Sequence, residues 1–290
     1  MLDAVRIDTI LARGEPVFSF EFFPPKTPQA AEQLLRTIDE LKPISPAFVS
    51  VTYGAMGSNR SQVIDLVARI KDEIGLNPMA HLSCTGHSRD ELASILDQLA
   101  SAGVDNVLAL RGDPPRGEEF RPAADGFAHA SDLVAFIRSR WDFCVGGACY
   151  PEKHPDAPDL ETDLAHLATK VRAGTDFLIT QLFFDDADYF AFVRRARAAG
   201  IDVPILSGIM PVTDVGGVRR MTSMCGAHLP SALESRLAEA DGDPARVLSV
   251  GVEHATGQCR ALLEGGVPGI HFYTLNKSPA TRRIVAALRA

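Results

Sequence analysis

The strongest constraint on this chain is an alternation that runs through its whole length. Eight short runs rich in Val, Ile and Phe, most bounded by Gly, Pro or charged residues, are separated by segments with helical periodicity. The runs are VFSFEFF from Val17, AFVSVTY from Ala47, PMAHLSC from Pro78, NVLALRG from Asn106, FCVGGACY from Phe143, FLITQLFF from Phe177, VPILSGIM from Val203 and GIHFYTL from Gly269. Strictly alternating strands and helices call for parallel strands joined by right-handed crossovers. Eight units favour closure into a (β/α)8 barrel of the TIM type. The alternative is an open doubly wound sheet, which usually has fewer strands, and no G-x-G-x-x-G follows the first run.

The helical segments carry their own signals. Leu34, Leu35, Ile38 and Leu41 share one face after the first strand. Val63, Ile64, Val67 and Ile70 do so after the second, and Gly75 suits the C-cap. Ser88 with Glu91 three residues on forms a capping-box pattern. A fifth helix is expected near Asp159 to Gly174 and a sixth near Asp186 to Gly200. Ser278 and Pro279 read as the N-cap and first position of the last helix. Thr213 to Gly266 is longer than one crossover needs and should hold extra helices. No composition shift divides the chain, so residues 1–290 read as a single barrel domain.

Composition narrows the functional classes. The net charge is −8, without a Lys/Arg-rich run, which argues against nucleic acid as a partner. No apolar stretch reaches the ~18 residues of a membrane span. The start, MLDAVRIDTILARG, is too charged for a signal peptide and reads as an amphipathic helix ending at Gly14. The five cysteines form no C-x-x-C pair and read as free buried thiols of a cytoplasmic protein. The histidines lack metal-ligand spacing, so no metal is expected.

In such a barrel the chemistry sits at the C-terminal ends of the strands. Polar groups recur there: Glu21, then Thr52 and Tyr53, His81 and Ser83, Arg111-Gly112-Asp113, Tyr150 with Glu152 and His154, Gln181, and Tyr273 with Asn276 and Lys277. Side chains alternate along a strand, so Glu21 shares its face with Val17, Ser19 and Phe23, opposite Phe18, Phe20 and Phe22. Glu21 should therefore point into the barrel mouth. Partial desolvation suits a carboxyl group to general-acid work; a structural ion pair with Arg111 is the alternative. By the same parity Gln181 should share a face with Phe177, Ile179 and Phe183. Asp113 either shapes a turn or acts at the site.

The runs SFEFFPPK (from Ser19), FVSVTYGA (from Phe48), LALRGDPP (from Leu108), YPEKHP (from Tyr150), ITQLFFD (from Ile179) and FYTLNK (from Phe272) together resemble methylenetetrahydrofolate reductase of the bacterial type. The resemblance covers nearly the whole chain, with the motifs in order. It implies a (β/α)8 barrel that holds FAD and reduces methylenetetrahydrofolate to methyltetrahydrofolate with NADH or NADPH. It places Glu21 as the acid that opens the folate's methylene bridge and Asp113 as the carboxylate near flavin and pterin. Gln181 is placed as a pterin hydrogen-bonding group.

The same resemblance assigns Thr52, His81, Leu110, Arg111, Gly112, Asp113, Tyr150, His154, Asp163 and Lys170 to the FAD cradle. His129, where a Tyr is expected, and its neighbour Ala130 complete that side. Met221 stands where an aromatic residue is expected against the ligand, and Lys277 can meet the folate. Without a dinucleotide fingerprint, nicotinamide and folate should use the mouth in turn, by ping-pong kinetics. A homo-oligomer is expected, and control through a C-terminal regulatory domain is not, since the chain ends soon after strand eight. A flavin-free folate reductase and a non-catalytic folate-binding barrel are the competing readings.

Overall fold

A computed structural model describes residues 5–52, 60–114 and 120–290. Tyr53, Gly54, Ala55 and Pro115, from the motifs above, lie outside the described residues. In chain order the elements are α1 (Ile7–Leu11), β1 (Val17–Phe22), α2 (Pro28–Leu41), β2 (Phe48–Val51), α3 (Arg60–Arg69), β3 (Pro78–Ser83), α4 (Arg89–Ser101), β4 (Asn106–Leu110) and α5 (Ala130–Arg140). They continue with β5 (Cys144–Cys149), α6 (Leu160–Arg172), β6 (Phe177–Thr180), α7 (Asp186–Ala198), β7 (Ile205–Ile209), α8 (Val215–Cys225), α9 (Ser231–Ala240), α10 (Pro244–Glu264), β8 (Gly269–Tyr273) and α11 (Pro279–Arg289). The strands pair in parallel, in sequence order, into a closed barrel. β8 returns to β1, with Val17 opposite Gly269 and Glu21 opposite Tyr273. Closure leaves no unpaired edge.

The alternation within each strand divides two cores. Phe48, Met79, Leu108, Cys144, Phe177, Ile179 and Leu206 fill the barrel interior, with Ile7 and Leu11 of α1 packed among them. The backbone N–H of Ile7 donates to Asn106 Oδ1 at 2.8 Å, tying α1 to the start of β4. Gly146 is required in this interior: a Cβ there would stand 2.7 Å from the Phe177 ring. Residues of opposite parity, such as Phe20, Phe22, Val49 and Val51, pack outward against Leu34, Leu35, Ile38 and Leu41 of α2 and Val63, Val67 and Ile70. Each fully buried Phe in that shell contributes about 1.5–3 kcal/mol.

Local signals hold with some shifts. Ser88 Oγ accepts from Glu91 N at 3.2 Å, and Ser88 N donates back to the Glu91 carboxylate at 2.9 Å, closing the capping box. α3 runs on into a π turn (Ile70–Ile74) and stops at Gly75 with φ 73°. Its buried face is Val63, Leu66 and Val67, continued by Ile70 and Ile74 of the π turn, while Ile64 is only half-buried. Three helices, α8, α9 and α10, follow β7 where one crossover helix would do, and they build a second apolar cluster around Leu182, Phe184, Met210 and Val212.

Four expectations need correction. Within the described residues the N-terminal helix is only Ile7–Leu11, followed by a turn through Gly14 at φ 79°. Ser278 sits at the N-cap position but makes no cap; its hydroxyl donates instead to Glu40 Oε2 at 2.6 Å. Phe183 does not share the interior face with Phe177 and Ile179. β6 ends at Thr180, the alternation lapses, and Phe183 stacks on Tyr189 of α7 in the outer shell. Cys225 is half-buried, unlike the other four thiols, because it ends α8.

Candidate active site at the barrel mouth

Strand parity brings Glu21 inward as expected, and the residue is 9% exposed. Its Oε2 lies 3.5 Å from Nε2 of His81 on β3 and 3.5 Å from Nε2 of His271 on β8. The other ring nitrogen of His271, Nδ1, is 2.8 Å from Ser19 Oγ. Burial pushes the His81 imidazole down to about 4, opposed by Glu21 and helped by His271. His81 is therefore neutral near pH 7, and its contact with Glu21 is not an ion pair. Arg111 plays no part here: its Nη2 pairs with Asp156 Oδ2 at 2.8 Å, so the expected alternative of a Glu21–Arg111 bridge is not formed.

His271 was not among the residues singled out from the sequence. The signal was present, since it shares the inward parity of Tyr273 in GIHFYTL. Tyr273 lies edge-on to His271, with ring centroids 5.5 Å apart, and its O–H donates to the Thr180 carbonyl at 2.6 Å. Burial, followed by Glu21, holds the Tyr273 phenol well above its usual range, so it stays a donor.

Of the other predicted residues, Leu110 closes β4, Ala130, Asp163, Lys170 and Met221 lie in helices, and the rest stand in the loops that follow the strands. β4 ends at Leu110, yet the Cys84 and Thr85 amides donate to the Leu110 and Arg111 carbonyls at 3.1 Å, extending the β3–β4 ladder. That extension brings Gly112 so close that a Cβ would meet Thr85 Oγ1 at 2.4 Å, and its φ is +81°. Asp113 is exposed on this rim. It acts with Asp163 to raise the Tyr150 phenol, after burial as the main cause, while Arg111 opposes them. The Tyr150 ring meets His154 edge-on at 4.5 Å, and the His154 amide donates to Asp163 Oδ2 at 2.9 Å. Arg111, Asp113, Tyr150, His154 and Asp163 thus form one group on the β4–β5 side.

Lys170 of α6 is half-buried and donates to the Ala148 carbonyl; desolvation lowers its pKa, against Cys149 and Asp163. His129, exposed, and Ala130 begin α5, and the His129 carbonyl faces the Cys84 thiol at 3.6 Å. Thr52, half-buried, donates its amide to the Phe22 carbonyl at 2.9 Å. Gln181 is half-buried, and its Oε1 accepts from Leu182 N at 2.9 Å. Met221 packs at the edge of the second apolar cluster together with Tyr273 and Leu275, and Lys277 is exposed after β8.

The donor set suits a flavin dinucleotide. Two cations, Arg111 and Lys170, match an anionic diphosphate, and Gly112 admits no side chain, since a Cβ there would meet Thr85 Oγ1. One acid–thiol group, Asp8, Cys144 and Asp176, lies on the opposite, N-terminal side of the barrel. Arg6 and Arg138 already pair with its carboxylates.

A sequence profile described as methylenetetrahydrofolate reductase matches residues 6–289. Methylenetetrahydrofolate reductase (NADH) 1 of Arabidopsis thaliana is 38% identical over 283 residues, covering 93% of this chain and 48% of that protein. The 5,10-methylenetetrahydrofolate reductase of Escherichia coli K12 is 36% identical over 286 residues, covering 99% and 95%. The chain thus spans about half the length of the plant relative and nearly all of the bacterial one. Among solved structures, an uncharacterized Clostridium thermocellum protein that binds two copies of 5-methyl-5,6,7,8-tetrahydrofolic acid aligns with TM-score 0.63 and 15% identity, over 97% of this chain and 96% of that one. Oxaloacetate acetylhydrolase aligns with TM-score 0.56 and 14% identity, over 99% and 84%. These two similarities speak to the barrel alone, a fold that carries many chemistries.

Proposed function

Because the chain belongs to the methylenetetrahydrofolate reductase family, we propose that it reduces 5,10-methylenetetrahydrofolate to 5-methyltetrahydrofolate, with NADH or NADPH as the hydride source, a proton from Glu21 and FAD as the resident cofactor. The observation that carries this reading is the carboxyl of Glu21, on a side chain 11% exposed at the open end of the barrel and bracketed by two imidazoles. A carboxylate is rarely buried without a partner or a task.

Glu21 holds the proton that the folate's bridging nitrogen takes as the methylene bridge opens to an electrophilic iminium. His271, anchored by Ser19, orients the carboxyl group. Gln181 and Asp113 offer hydrogen bonds to the polar edges of the pterin. Arg111 and Lys170 would meet the cofactor's diphosphate, with Tyr150 and His154 alongside. Bound FAD supplies a two-electron carrier between nicotinamide and folate. With one mouth for both substrates, the pyridine nucleotide leaves before folate enters, which gives ping-pong kinetics.

The test is spectroscopic. The purified protein should carry, or take up, FAD, lose its visible absorbance on adding NADH or NADPH, and regain it on adding methylenetetrahydrofolate. A folded, colourless protein that cannot take up FAD would refute the flavin reading. A requirement that both substrates be bound together would refute the ping-pong order.

A further inference from the structure

We propose that Phe23 is an aromatic wall for the p-aminobenzoyl ring of the substrate, and that Asn276 is the positioning residue that presents it. The proposal rests on reading the mouth as a folate site. It starts from an oddity: among the described residues the exposed large hydrophobics are Phe23, at 41%, and Met224, at 72%. Met224 lies on the solvent side of α8. Phe23 lies two residues beyond Glu21.

Alternation carries one residue past the end of β1. Phe22 is fully buried in the outer shell, and its carbonyl still accepts from Thr52 N at 2.9 Å. Phe23 therefore faces away from that shell, at the mouth.

The backbone of Phe23 is held from the β8 side by one side chain. Its N–H donates to Asn276 Oδ1 at 2.7 Å, and its carbonyl accepts from Asn276 Nδ2 at 3.0 Å. The amide of Asn276 thus replaces the next rung of the β1–β8 ladder. The same loop holds the acid, since Thr274 Oγ donates to the Glu21 carbonyl at 2.6 Å and accepts from Asn276 N at 3.2 Å. To reach these places Leu275 and Asn276 both adopt left-handed backbone angles, φ 51° and 61°, unusual for consecutive residues other than glycine. Such a conformation persists only where its surroundings impose it. Here it fixes an exposed ring beside a buried carboxyl group.

The ligand chemistry follows from what lies next to the ring. The pterin has polar edges and needs hydrogen-bonding groups. The p-aminobenzoyl ring is a flat apolar disc joined to a carboxylate tail, and an exposed aromatic followed on the facing loop by exposed Lys277 answers both parts.

The experiment is calorimetric titration of 5-methyltetrahydrofolate into the FAD-supplemented protein, with melting temperature measured on every variant. Phe23→Ala should weaken binding about ten-fold, as expected for a lost aromatic stack, and should melt with the wild type because the side chain is exposed. Phe23→Leu keeps apolar bulk without the ring and should fall between. Asn276→Gly relieves the left-handed strain but removes the clamp, so it should bind several-fold more weakly without melting earlier. Wild-type affinity in Phe23→Ala or Phe23→Leu overturns the ring contact, and wild-type affinity in Asn276→Gly overturns the positioning role. Failure of the wild type itself to bind 5-methyltetrahydrofolate would instead refute the folate reading of the site.

Discussion

Gly208→Ala tests how the acid's surroundings are assembled. Gly208 lies on β7 at the point where the Tyr273 ring from β8 reaches over to β6. An added Cβ would stand 2.2 Å from the Thr180 carbonyl oxygen, 2.7 Å from the Tyr273 ring and 2.8 Å from its hydroxyl. The tyrosine can swing away, at the loss of its 2.6 Å bond to Thr180 O. The carbonyl is sheet backbone and yields only if β6 and β7 separate. Overpacking of this kind costs about 1–3 kcal/mol, and the lost hydrogen bond adds about 1 kcal/mol. A total of about 2–4 kcal/mol should lower the melting temperature by roughly 4–8 °C in a chain of this size. Circular dichroism melting of wild type, Gly208→Ala and Tyr273→Phe gives the measurement, with Tyr273→Phe accounting for the hydrogen bond alone. A Gly208→Ala protein melting within about 1 °C of the wild type would refute the steric argument.

Other outcomes follow from the same geometry. Glu21→Gln should spare reduction of bound flavin by NADH and slow folate reduction by about 10²–10⁴-fold, the usual worth of a general acid; equal loss of both steps in stopped-flow traces would mark Glu21 as structural. His81 takes up its proton near 6.5 when unfolded but only at about 4 when folded. The unfolded chain therefore binds more protons between those values, and stability present above pH 6.5 is lost as pH falls toward 4, by about 3 kcal/mol. Denaturant titrations at pH 7 and 4.5 should show a smaller difference for His81→Gln, and an unchanged one would discount this role. Cys225 should be the first thiol to react with a disulfide reagent in the native protein, because the other four are buried, although burial raises its own pKa too and that of Cys84 to about 12; mass mapping of an early-labelled Cys149 would contradict this.

Much of this molecule is legible in short windows. The β-run and helix alternation named a closed parallel barrel, the parity of VFSFEF turned Glu21 inward, and Ser88 with Glu91 marked the start of α4. These readings rest on periodicities of two and 3.6 residues and on a cap, which neighbours in sequence enforce. They weaken where regular structure stops. Phe183 left its expected face once β6 ended at Thr180, and Ser278 turned from capping α11 to a distant glutamate, Glu40.

The immediate partners of the acid belong to the other class of fact. His271 stands 250 residues from Glu21, Ser19 stands 252 from His271, and Asn276 stands 253 from Phe23. Those pairs meet because β8 closes on β1, and the register of that closure is an outcome of packing the whole barrel. The motif order could propose Glu21 as an acid at the mouth of the barrel. Which imidazoles bracket it, why Arg111 is spent on Asp156 instead, and how Asn276 holds the next aromatic residue in the open were fixed by three-dimensional closure, since hydrogen bonds across a barrel depend on distances that no local periodicity encodes.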